Sequence, residues 1–217
     1  MDNVNYILFL CVTIPLLLML FLTDRDHRTG LTFMVIGIVL CLIVSELNGF
    51  FLRLFGGDLL YVTTTVTPIT EELVKALPVL FFALLISDDS KTLVTVSMAV
   101  GIGFAVLENL IILVGNVENV TLSWAFVRGL SSGLMHGVCT ALVGMGMSMV
   151  RKRRKLFLPG TFALLSTAII YHAIFNMLVQ SPYKYTGFLL PMFTYLPLLI
   201  VTLRRRRRAA KAGKPGA

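Results

Sequence analysis

Glu71, Glu72 and Lys75 stand inside a run of Leu, Val, Phe and Ala that otherwise reads as membrane-spanning. A charged side chain at membrane depth costs at least ~2.5–3.5 kcal/mol, so such groups face a protein interior or a water-filled cavity and mark function. On a helix Lys75 lies four residues from Glu71 and three from Glu72, within reach of either. That spacing divides labour: Lys75 holds one glutamate and leaves the other free to accept a proton from water. A buried ion pair locking two helices together is the plainer alternative.

Three later apolar segments carry groups that complete a reaction centre. Glu108 and Asn109 follow Gly101 and Ala105, and Gly101, Ala105 and Glu108 share one helical face, so a neighbouring backbone can approach the glutamate closely. His136 sits among Gly129, Gly133, Gly137 and Ala141, a small-residue stripe suited to tight helix packing, with Thr140 one turn on. His172 and Asn176 repeat the one-turn spacing. Hydrolysis of an amide needs such a set: a carboxylate to take a proton from water and a histidine to assist or to protonate the leaving amine. Asn176 adds a donor for the developing oxyanion. The same groups are also zinc ligands, although no HExxH spacing is present. Cofactor use therefore stays open between none and Zn²⁺ held by the Glu/His set. Ser131 and Ser132 lie near His136 without a Gly-x-Ser-x-Gly elbow.

Helices must bring these residues together. The chain of 217 residues is 57% hydrophobic and only 14% charged, with a mean hydropathy of +0.87. Soluble domains carry about 25% charged residues, so a soluble domain is excluded. The expected fold is all-α: a polytopic transmembrane bundle forming a single integral-membrane domain over 1–217. Seven apolar segments are read at about 4–22, 31–52, 59–86, 91–115, 123–150, 159–180 and 185–203. The third is long, and Pro68 divides it into a lead-in, 59–67, and a main helix, since proline suits a helix's first turn. Residues 59–180 make up the catalytic core helices.

Charge sets the orientation. Arg25, Arg28, Lys91, Arg151–Lys155 and the basic residues after Leu203 fall on one side, leaving Arg53 and Lys184 on the other. The positive-inside rule then puts the N-terminus outside and the basic tail, 204–217, in the cytoplasm. The net charge of +8 is thus topological and lipid-directed, with no nucleic-acid partner expected. Glu71, Glu108, His136 and His172 each lie some 13–17 residues from the cytoplasmic end of their segments, ~20–26 Å into a core of about 30 Å. Four helices thus bring polar groups to one level in the outer half. Cys11, Cys41 and Cys139 are dispersed in apolar segments and read as small buried hydrophobes.

The ordered set Glu71-Glu72-x-x-Lys75, Phe104-x-x-x-Glu108-Asn109, His136-x-x-x-Thr140 and His172-x-x-x-Asn176 resembles the motifs of PrsW-family intramembrane proteases. That family shares a superfamily with type II CAAX prenyl endopeptidases and a non-proteolytic gamma-secretase scaffold subunit. The resemblance implies an intramembrane endopeptidase of a prokaryotic cell membrane. It implies Glu71 as the water-activating glutamate with Glu72 beside it, His136 and His172 as catalytic histidines, and Asn176 as the oxyanion donor. Glu108 joins the set by touching water or holding a histidine; the CAAX relatives have His where this chain has Glu108-Asn109. Lys75, Asn109 and Thr140 are supporting residues. The implied substrates are single-span membrane proteins such as an anti-sigma factor, cut on the extracytoplasmic side as the first step of a stress-signalling cascade.

Some features fall outside this pattern. Glu46 reaches the same depth as the site and either lines its cavity or ends in the interface. Arg128 is expected to snorkel to the outer boundary. Three rival functions remain: a proton-coupled transporter, for which no internal repeat is visible; a non-catalytic membrane scaffold; and a prenyl-protein endopeptidase serving a cytoplasmic lipidated tail.

Overall fold

The computed structural model describes residues 14–15, 27–150 and 154–212. The expected first span, 4–22, lies almost wholly outside them, as do Cys11, Arg151–Arg153 and the last five residues. All regular elements among the described residues are helical.

Six long helices carry the fold. They are α1 (His27–Leu54), α2 (Thr67–Leu85), α3 (Ser90–Gly115), α4 (Leu122–Met147), α5 (Arg154–Val179) and α6 (Lys184–Ala212). Their starts follow from capping chemistry. The Asp89 carboxylate accepts from the Thr92 amide at 2.9 Å and starts α3, and the Thr121 hydroxyl accepts from the Trp124 amide and starts α4. Four stretches are long and apolar enough to cross a membrane: Thr29–Leu54, Ser90–Gly115, Leu122–Met147 and Lys155–Val179. α2 has the length but carries Glu71, Glu72 and Lys75. α6 runs on as one helix into the arginines after Leu203, so the basic tail begins as helix.

α4 lies at the centre: 83% of its most apolar window is buried, against 17% for α5. α3 packs most extensively on α4 and on α1, while α2 touches α1, α3, α4 and α5. The helix with the carboxylates therefore meets every helix that carries another motif. Missing side chains permit the close approaches. A Cβ at Gly101 would run into the His136 carbonyl, one at Gly103 into the Met34 backbone, and one at Gly37 into the Val100 carbonyl. Gly101 thus serves the close backbone approach anticipated for its face.

The lead-in to α2 has an unusual register. After one turn at Leu59–Tyr61, capped by Asp58, residues Val62–Val66 form a π-helix that runs directly into α2. Thr63 and Thr64 bond back to the carbonyls of Leu59 and Leu60, both at 2.7 Å, competing with backbone donors there. In the π register the Thr67 amide bonds to the Val62 carbonyl. The next carbonyl, that of Thr63, would look to residue 68, which is proline and has no N–H. Its donor comes from another helix: Asn176 Nδ2 of α5, at 2.9 Å.

A candidate catalytic centre

α2 delivers Glu71, Glu72 and Lys75 to the bundle interior, where each is buried. Glu72 is the glutamate that Lys75 holds. Lys75 Nζ lies 2.7 Å from Glu72 Oε1 but 3.7 Å from Glu71 Oε2. His172 Nδ1 lies 2.9 Å from the same Glu72 oxygen. A carboxylate accepts only, so Nδ1 carries a proton and donates it, and in the neutral ring Nε2 keeps its lone pair. That Nε2 is buried without a hydrogen-bond partner, and so is Glu71 Oε2, 3.9 Å away.

His136 completes the cluster from α4, its ring edge-on to that of His172 with centroids 4.9 Å apart. Lys75 Nζ donates to its Nδ1 at 2.8 Å, which leaves Nε2–H to donate to Glu108 Oε2 at 3.2 Å. Glu108 also receives the Ser132 hydroxyl at 3.1 Å and pairs with Arg128 at 3.5 Å. The Phe104 ring lies under the Lys75 ammonium at 4.6 Å and shields it from the open side.

The described structure thus unites Glu71, Glu72, Lys75, His136 and His172 in one buried network, with the half-buried Glu108 at its edge. Three sequence candidates lie outside that network. Asn176 binds the Thr63 carbonyl with one of its two amide hydrogens. Thr140 bonds back to the His136 carbonyl at 2.9 Å, shaping the helix beneath the histidine. Asn109 is wholly buried, and both its side-chain polar atoms lack partners.

Sequence reasoning placed Arg128 at the outer boundary, and the structure corrects this. Arg128 is buried, with its guanidinium over Trp124 and against Glu108. The signal was present: Arg128, Ser132 and His136 recur every four residues and share one face of α4, and all three reach Glu108.

A cavity of about 230 Å³ leads to this cluster. α1 contributes a stripe of Cys41, Val44, Ser45, Asn48, Gly49 and Leu52. Opposite stand Thr63 and Thr67 of the α2 lead-in and start, with Phe104 of α3. Glu71 and Glu108 line it too, so of the adjacent pair Glu71 and Glu72 it is Glu71 that faces open space. Glu46 is exposed and is absent from the lining, which takes its neighbour Ser45 instead. A hydrogen bond from Thr70 to Asn48, 2.9 Å, ties α2 to α1 beside the cavity.

The donor set fits a divalent cation. Glu71, His136 and His172 each offer a ligand atom, all within 4.8 Å of one another and all buried. Two of the donors, Glu71 Oε2 and His172 Nε2, make no hydrogen bond, and His172 is oriented by a carboxylate behind it, as metal-bound histidines are. The third residue, His136, has its Nδ1 turned to Lys75.

A family profile described as PrsW family intramembrane metalloprotease matches residues 27–202. Searches of curated proteins and of solved structures gave no match.

Proposed function

The chain belongs to the PrsW family of intramembrane proteases, and from that premise we propose that it is an endopeptidase cutting single-span membrane proteins, such as an anti-sigma factor, in the outer half of the bilayer. One observation carries the reading: of the two adjacent glutamates, Glu71, the one Lys75 holds less tightly, is the one that lines the cavity. The seven-span topology with a cytoplasmic tail belongs to the same proposal.

The Glu71 carboxylate accepts a proton from a water in the cavity as the water oxygen attacks the peptide carbonyl carbon. His172 Nε2, with its lone pair free, accepts the water's other hydrogen bond and fixes its direction. Glu72 keeps the His172 ring in that tautomer, and Lys75 balances the charge of Glu72. Glu108, held by Arg128 and Ser132, does the same for His136. The second amide hydrogen of Asn176 is the donor for the oxyanion, a contribution of about 3 kcal/mol where water is excluded. As the C–N bond breaks, Glu71 returns its proton to the departing amine. A zinc ion held by Glu71, His136 and His172 would supply a polarised, more acidic water at the same place.

The test is cleavage of tagged single-span membrane proteins by purified protein in liposomes, with Glu71→Gln and His172→Ala alongside, each with and without a strong chelator. Cleavage by wild type alone supports the reading. Loss with chelator and recovery with Zn²⁺ assigns the metal form, and indifference to chelator assigns the metal-free one. Equal products from all three proteins, or products mapping to the cytoplasmic side, would overturn it.

A further inference from the structure

Gly49 has no packing reason to be glycine. A Cβ built there meets nothing nearer than Arg53 Nη1 at 3.9 Å, whereas those at Gly37, Gly101 and Gly103 would strike backbone. Glycine inside a helix costs about 1 kcal/mol relative to alanine, and no turn or positive φ is present to offset it. Gly49 instead faces the cavity, beside Ser45 and above Cys41, so its missing side chain enlarges that space.

The dimensions restrict what can enter. The α1 stripe from Cys41 to Leu52 is ~16 Å long at 1.5 Å per residue, and a helix of that length and ~10 Å width occupies on the order of 1,000 Å³. The cavity holds about 230 Å³, below the ~300–1,000 Å³ of pockets that enclose drug-sized ligands. The space is too small to take in a whole helix, and a single side chain turned inward is accommodated. The wall at that point is small and mostly apolar, made of Cys41, Val44, Ser45 and Gly49.

We infer that the space kept open by Gly49, Ser45 and Cys41 is the specificity pocket, taking the apolar side chain of the substrate residue next to the scissile bond. The inference rests on the endopeptidase reading and adds its size rule: a larger residue at position 49 narrows the range of side chains accepted at the cut. Continuity carries it, because Glu71 and the Gly49 stripe are walls of one cavity.

The experiment compares wild type with Gly49→Ala, Gly49→Val and Gly49→Leu on two single-span substrates that differ only at the mapped cleavage position, alanine in one and phenylalanine in the other. Thermal unfolding in detergent runs alongside. The expected result is melting unchanged or raised across the series, alanine substrate cut throughout, and phenylalanine substrate cut about tenfold or more slowly by Gly49→Leu. The same ratio of rates in all four proteins would overturn the pocket while leaving the protease reading intact. Equal loss on both substrates with a lowered melting temperature would also overturn it, by making Gly49 a packing residue. A wild type that cuts neither substrate would overturn the protease reading, and the pocket with it.

Discussion

Gly37 and Gly49 sit on one helix about three turns apart, and the structure uses them in opposite ways. At Gly37 the α3 backbone is pressed against α1, so the N-terminal half of α1 is fused to its neighbour. At Gly49 nothing approaches, and α1 stands off from the lead-in to α2 across the cavity. A helix fixed at one end and hollow along the other gives a rigid floor beneath an accessible site. Glycine content alone does not distinguish these uses; the partner on the far side does.

The largest effect should come from the hollow half. Glu71→Gln keeps the side chain's shape and removes the proton acceptor, so cleavage should fall by ~10²–10⁴-fold with unchanged thermal unfolding. Gly103→Leu probes the fused half. Its added atoms meet the Met34 backbone, and stability should drop by about 3 kcal/mol or more, read as a lower melting temperature and poor yield. If Gly103→Leu were tolerated as well as Gly49→Leu, the contrast between the halves would fail. Asn176→Ala should be intermediate. It leaves the Thr63 carbonyl without its donor, a loss of ~1–3 kcal/mol, and it removes the proposed oxyanion donor, slowing cleavage by about 10²-fold. Glu46→Gln should be the smallest, within about 0.5 kcal/mol and with wild-type cleavage, because Glu46 is exposed and off the cavity wall. A clear loss of activity there would extend the functional wall of α1 beyond its inner stripe.

Much of the centre was legible because its residues obey helical spacing. The i,i+3 and i,i+4 relations of Glu71, Glu72 and Lys75 mark an ion pair, and the choice of Glu72 as the glutamate held followed only from three dimensions. Pro68 announced the start of α2, and the helix begins at Thr67. The π register before it was invisible, since it depends on a donor more than a hundred residues away in the chain. Arg128 was misread because a charge near the end of an apolar segment ordinarily reaches for water. Its partner Glu108 lies on another helix, and the meeting depends on the register between α3 and α4. Periodicity gives the face of a helix but not what stands opposite, and for the same reason Glu46 was left between the cavity and the interface. Integral-membrane character followed from composition, but the first expected span and the total of seven lie beyond what the described helices and their apolar lengths decide.

The carbonyl of Thr63 carries one more consequence, for the order in which the protein is made. Its donor, Asn176, and the second histidine, His172, ride on α5 one turn apart. A nascent chain that has inserted α1 to α4 already contains the paired glutamates, Lys75 and His136, but its cavity wall has an unmet acceptor and Glu72 has only the lysine. The arrival of α5 supplies both missing contacts at once. The cavity wall and the candidate centre are therefore completed by one and the same helix.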